Sequence, residues 1–362
     1  MDRTGSAGPK ARRVYPVFDG VSLARRRLLH KRVADALRQH ARRQNKEGVV
    51  AGQIAQHYQH AGQDDLSALY YKAAGEHAQV VYANTEVLAH FKKALALNHP
   101  EKSKLHESIA DLHTLHGEYS AALTSYETAA ALSDAPEIPR LEHKLGNVYH
   151  RLGEWDLAVC HFQVALVDME VDNKPADLAR LYADWSRTLH TMGDTPQAAL
   201  MANQALSSAE ESGNPRPLAQ AHNILGIISR SQDDMENAQN HLNQSLAAAK
   251  KAQDPEAEIA ALNNLALVLA ECGDRERAKE LVETALEICN RLGDRHHEAA
   301  LLNNLADLLY ADGQSDKAMQ YLKKAVRIFS EIGMDGEDQQ PEIWKLSTWQ
   351  LHIICYTDQA NP

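Results

Sequence analysis

Aromatic residues are scarce in this sequence: Phe, Trp and Tyr make up 6% of 362 residues, and only four are Phe. A core must then be built from aliphatic side chains, and these are mostly Ala and Leu. Both are strong helix formers, and Ala lets helices approach closely. The chain is expected to be all-α. Cysteine is equally sparse. Cys160, Cys272, Cys289 and Cys355 show no paired spacing, which excludes a disulfide framework and fits a reducing compartment. There is no run of 18 apolar residues and no charged and apolar leader pattern at Met1. Membrane insertion and secretion are therefore not expected, and a cytoplasmic location is.

The motifs of common chemistry are missing too. The sequence has no G-x-x-x-x-G-K-[ST], no G-x-S-x-G, no H-E-x-x-H and no Asp-x-Asp-x-Asp-Gly loop. Nothing therefore predicts a phosphate-cradling loop, a nucleophile elbow, a zinc site or a calcium site, and neither a cofactor nor an enzyme activity is expected. The 19 histidines invite a metal reading, but they lack grouped ligands with supporting carboxylates. They read as ordinary surface residues of helices.

What is present is a substantial apolar content, 44%, ample for a core. Charge is unevenly spread. Residues 1–50 hold 13 Lys and Arg against 4 Asp and Glu, and the rest of the chain holds 25 against 45. So acidic a body repels nucleic acid and anionic membrane at long range, which disfavours both as partners.

Self-comparison reveals a repeat. The stretches LGNVYHRLGEWDLAVCHFQVAL, WSRTLHTMGDTPQAALMANQAL, LGIISRSQDDMENAQNHLNQSL, LALVLAECGDRERAKELVETAL and LADLLYADGQSDKAMQYLKKAV superpose without gaps. Their turn residues, Gly153, Gly193, Asp233, Gly273 and Gly313, are 40 apart, and an alanine follows each by five: Ala158, Ala198, Ala238, Ala278 and Ala318. Earlier copies centre on Gly117 and Gly62, and a half-matching helix covers residues 87–97. Each copy reads as helix, turn, helix, with Gly suited to a left-handed C-cap and the alanine at the helix crossing. The predicted fold is all-α, a right-handed α-solenoid of about seven helix-turn-helix repeats, mostly 40 residues each. Its expected limits are a flexible segment 1–20, a basic capping helix 21–50, the solenoid 51–333, and a turn with a capping helix and tail 334–362.

The spacing of Leu145, Gly146, Tyr149, Gly153, Ala158, Phe162 and Ala165 resembles the tetratricopeptide repeat (TPR). The common repeat has 34 residues, so 40 implies helices lengthened by about a turn and a half per hairpin. The strings Leu262–Ala266 and Leu302–Ala306 are similar to repeats of kinesin light chains and bacterial signalling proteins. Residues 21–97, with RRRLLHKRVADAL, resemble the junction that follows the ATPase module of bacterial signal-transduction ATPases of the STAND type, some relatives of which carry cyclase domains. That resemblance implies a sensor region, although no ATPase motif is present.

The segment from Val21 reads as a basic amphipathic helix with Leu28, Leu29, Val33 and Leu37 on one face, either capping the solenoid or meeting an anionic partner. Near the other end, Pro341, Ile343, Trp344, Leu346 and Trp349 suggest a final capping helix or an aromatic platform.

In a hairpin superhelix the first helices line the concave face. Helical spacing puts Arg140, His143, Asn147, Arg180, Arg187, Asn223 and Arg230 on that stripe, followed by Asn263 and Asn303 with Asn264 and Asn304 beside them. The asparagines could pair with both polar groups of an extended peptide backbone, or could bond neighbouring helices instead. The arginines would take acidic side chains. The expected function is a non-catalytic scaffold or sensor binding an extended, acidic protein or peptide segment in its groove. Two alternatives are the regulatory half of an ATPase or nucleotide cyclase and, less well supported, a transcriptional regulator.

Overall fold

We describe the chain from a computed structural model. The structure describes residues 22–172 and 174–332, the side chains of Glu170, Val171 and Asp172 excepted. The expected flexible segment 1–20 and the helix after Pro341 lie outside the described residues.

The described residues form sixteen α-helices and no strand: α1 (Leu23–Gln44), α2 (Glu47–His60), α3 (Asp64–Val80), α4 (Asn84–Ala96), α5 (Lys102–Leu115), α6 (Tyr119–Ala131), α7 (Ile138–Arg151), α8 (Trp155–Asp172), α9 (Pro175–Thr191), α10 (Thr195–Ser212), α11 (Pro215–Ser231), α12 (Met235–Ala252), α13 (Pro255–Glu271), α14 (Arg275–Leu292), α15 (Arg295–Ala311) and α16 (Ser315–Glu331). None of the described helices is long and apolar enough to cross a membrane. Seven hairpins turn at Gly62, Gly117, Gly153, Gly193, Asp233, Gly273 and Gly313, each in a left-handed conformation, making the right-handed α-solenoid.

The repeat is finer than the 40-residue period. From residue 193 onward every twentieth residue is left-handed: Gly193, Gly213, Asp233, Gln253, Gly273, Gly293 and Gly313. Turns within hairpins and turns between them thus share one stop signal. The start signal is as regular. Asp194, Asn214, Asp234, Asp254, Asp274 and Asp294 each accept a hydrogen bond from a backbone N–H two or three residues on, capping the next helix. Stop and start side by side limit α9–α16 to 17 or 18 residues each.

Small residues set the spacing within hairpins. Ala158, Ala198, Ala238, Ala278 and Ala318 are fully buried. At Gly226 a Cβ would meet Leu242 Cγ at 2.6 Å and the Ala238 carbonyl at 3.3 Å, so only glycine allows this crossing.

The chain divides into two compact units, residues 1–102 and 103–362. In the first, α1 packs on α2 through Ala34 and Ala41, with Ile54 and Tyr58 beneath. The apolar face expected on α1 is only partly used: Leu37 packs, while Leu28, Leu29 and Val33 stay exposed. The two buried alanines allow close helix approach.

The second unit curls until its ends meet. Tyr119 and Ala122 of α6 share one core cluster with Ala299 and Leu302 of α15 and Ile328 and Phe329 of α16. A Cβ on Gly117 would collide with the Ile332 side chain. Beside this seam, Tyr119 Oη lies 3.2 Å from His296 Nδ1, and Arg151 Nη1 lies 3.9 Å from Asp294 Oδ1. The seam closes the superhelical turn around a lumen.

Candidate ligand-binding lumen

The first helices of the hairpins, α5 through α15 in odd steps, line an open cavity of about 430 Å³, to which Tyr126 of α6 adds its ring. Six cations line it: Arg140, Lys144 and Arg151 from α7, Arg180 and Arg187 from α9, and Arg216 from α11. Asp111, Asp184, Asp254 and Glu256 oppose them. On α7 the spacing 140, 144, 147, 151 follows one helical face, and on α9 Arg180, Ala183 and Arg187 do the same.

Several of these charges are engaged by neighbours. Arg140 pairs with Glu107 through Nη1 and with Glu137 through Nη2, the latter at 2.7 Å. Lys144 Nζ reaches Asp111 at 2.6 Å and Glu107 at 2.7 Å. Arg216 Nε is 2.5 Å from Asp254 Oδ2. Asp184 is the most connected group. It accepts from His143 Nε2 at 2.8 Å, from Asn147 Nδ2 at 2.8 Å and from Arg187 Nη2 at 2.9 Å. Burial alone would raise its carboxyl, but the Arg187 guanidinium and the His143 and Asn147 hydrogen bonds outweigh it and hold the group well below the usual range.

Arg180 differs. Among the described residues no carboxylate forms an ion pair with it, and its Nε is buried without a protein partner. Burial, followed by the nearness of Arg140 and Arg180, lowers Lys144 overall even though Asp111 pulls the other way.

The stripe read from the sequence is placed as follows. Arg140, Asn147, Arg180, Arg187 and Asn223 line the lumen. His143 does not: it is buried, with its ring against Asp184 and Phe162. Arg230 is held by Glu271 through Nε and Nη2 at 2.8–3.1 Å. The asparagines bond neighbouring first helices: Asn264 Nδ2 donates to Asn223 Oδ1 at 2.9 Å, and Asn304 Nδ2 donates to Asn263 Oδ1 at 2.7 Å. Asn303 is buried. Of the two roles open to the asparagines, the helix-to-helix one is occupied.

Three features escaped sequence reasoning. Lys144 and Asp184 lie one residue beside the stripe, at positions that face the adjoining helix as well as the lumen. The seam of Tyr119, Arg151, Asp294 and His296 joins residues far apart in the chain and has no local signal. The histidines, expected as surface residues, include several in the interior. His99, His113 and His143 are buried, and burial followed by repulsion from Arg187 lowers His150 to about 3. His150 is neutral there, and its Nδ1 lies 3.0 Å from Thr188 Oγ1. Among the described residues no group of three or more His, Cys, Asp or Glu could hold a metal ion.

Residues 257–331 match the family model of the tetratricopeptide repeat. No curated protein sequence matches the chain. Solved structures do. Aspartyl phosphate phosphatase F from Bacillus subtilis is 17% identical, with 74% of this chain and 72% of that one aligned at a TM-score of 0.57. A Rap conjugation gene regulator in complex with the Phr peptide is 13% identical, over 81% of this chain and 98% of its own, at 0.54. A signal-transduction ATPase of the STAND type with a tetratricopeptide repeat sensor, from Pyrococcus horikoshii, is 15% identical, over 90% of this chain and 49% of its own, at 0.49. The first two likenesses establish a shared fold.

Proposed function

We propose that this tetratricopeptide-repeat solenoid is a non-catalytic sensor or scaffold module that binds a polypeptide segment in the lumen of residues 103–332. The observation that carries the reading is the lumen lining: six cations line the cavity, and one of them, Arg180, forms no ion pair with a carboxylate among the described residues, in a chain whose formal net charge is −11. An unpaired cation on the lumen wall favours an acidic group on the bound segment. Apolar patches at Ile224, Ile227, Ala257 and Ala260 add surface for side chains between the charges. The peptide complex of the similar Rap regulator supports a peptide as the class of partner.

The test fills the lumen. Ala260, partly exposed on its wall, is replaced by Trp, and native partners are captured on the wild-type chain and on Ala260→Trp at low and high salt. Partners held by the lumen should be lost from the variant and should weaken as salt screens the charges. Partners captured equally by both proteins would place binding elsewhere on the chain.

A further inference from the structure

We infer that the outer face of α8 is a docking seam for α1 of a second copy of this chain, so that copies join head to tail through one acidic and one basic helix.

The repeat supplies its own reference for an outer face. From α8 onward, each second helix of a hairpin exposes the residues one before and two, six and nine after its buried alanine. In α14 these are Arg277, Glu280, Thr284 and Glu287, and in α16 they are Lys317, Gln320, Lys324 and Arg327. In α10 and α12 they are amides, Ser and Ala, apart from Leu200. In α8 all four are apolar: Leu157, Cys160, Val164 and Val167. Val164 is 53% and Val167 66% exposed. Their steps of three, four and three residues are those of a seam between two helices. A solvated face gains nothing from that pattern, and an exposed apolar row among otherwise polar faces marks a contact surface. α8 adds no residue to the lumen, so the two surfaces are separate.

Charge selects the occupant. Residues 155–172 hold four Asp and Glu and no Lys or Arg. Asp156 and Asp168 flank the apolar row near its two ends, exposed and without an ion pair among the described residues. Two α8 helices would set these like charges against each other in either orientation, which disfavours α8 as its own partner.

The matching surface is on α1. This helix meets α2 through Ala34 and Ala41, and its remaining surface exposes Leu28, Leu29 and Val33 with Arg25 and Arg32 among them. Neither arginine forms an ion pair among the described residues. Residues 23–44 hold eight Lys and Arg against one Asp. Each helix thus presents apolar side chains without cover and charges without partners, and the two signs are opposite. Joining them buries the first and pairs the second. Because the two faces differ, the contact is heterologous, and copies add one after another unless a ring closes.

Sedimentation equilibrium of the full chain, over a range of concentrations, tests this. Two double variants change exposed residues only. Val164→Gln with Val167→Gln gives α8 the amide-rich face of its neighbours, and Leu29→Glu with Val33→Glu puts acidic groups on α1. Wild type should gain mass with concentration past the dimer, and high salt should reduce the gain by screening the charges. Each variant should keep the wild-type circular dichroism spectrum and raise the dissociation constant by about tenfold or more. An equal mixture of the two variants should form a heterodimer that grows no further, because one intact α1 meets one intact α8 while the other contact is blocked on both sides. A wild-type chain that stays monomeric, or a mixture that associates no better than either variant alone, would overturn the proposal. So would association that stops at a dimer and is lost only in the α8 variant, because α8 would then be pairing with itself.

Discussion

His143 and Asp184 are 41 residues apart in sequence and 2.8 Å apart in space, and the same offset joins Asn223 to Asn264, Asn263 to Asn304 and Arg230 to Glu271. One repeat plus one residue is the step from a first helix to the facing position on the next. These bonds form a polar ladder between the helices that line the lumen and fix their spacing.

Asp184 concentrates that ladder, so Asp184→Asn should destabilise the second unit by roughly 2 kcal/mol, because Arg187 and His143 lose the charge they face. The pH dependence has a definite sign. The folded-state pKa is depressed, so the carboxylate's contribution is fully present above the unfolded value near 3.8 and is lost as pH falls through the lower folded value. Chemical denaturation at pH 7 and near pH 3 should show the gap between wild type and variant narrowing on acidification. A gap that is constant with pH would mean that Asp184 contributes packing but not charge.

The helix crossings make a second test. Ala278 is fully buried where α13 and α14 meet, and Ala278→Leu adds three carbons to a filled site. A loss of about 1–3 kcal/mol is expected, read as a fall in Tm. An unchanged Tm would contradict the crossing geometry.

The turns make a third. Gln253 holds φ 52°, at the register where Gly273 and Gly293 hold 90° and 75°. A side chain costs about 1 kcal/mol in this left-handed region, so Gln253→Gly should stabilise by up to that amount. Gly273→Ala should destabilise by a similar amount, although a Cβ there meets nothing within 4 Å. Opposite signs from two exposed turns, measured by denaturant midpoints, would isolate the backbone effect. Two changes of the same sign would refute it.

The contrast between these sites shows what a linear sequence exposes. Gly153, Gly193 and Gly273, with the alanines five residues on, state the hairpins directly, because turn conformation and crossing distance are local demands repeated at a fixed period. The lumen stripe was half legible. Helical spacing puts Arg140, Arg180 and Arg187 on one face, which lines the lumen, but which neighbour each one meets depends on the superhelical rise, which no single helix encodes. That rise turns His143 into the packing and pairs the asparagines with one another. Asp184, beside Ala183, belongs to the same ladder but falls one residue outside the stripe that helical spacing defines.

The seam provides the last test. Ile332 is buried against Gly117, and with Ile328, Phe329 and Leu302 it forms the apolar part of the contact between α6 and the last hairpin. The polar part is Tyr119 with His296 and Arg151 with Asp294. Removing one neutral hydrogen bond costs about 1 kcal/mol, so Tyr119→Phe should leave the seam closed. Ile332→Glu buries a charge with no partner, a far larger penalty, and the seam can escape it by opening. Hydrogen exchange should then speed up in α6 and α16 in Ile332→Glu alone, while α9–α13, which contribute no residue to that cluster, keep wild-type protection. Small-angle scattering should show the same variant expanded at constant helix content. Uniform loss of protection along the whole solenoid would mean that the seam is inseparable from the fold, and equal exchange in all three proteins would mean that the ends do not meet in solution.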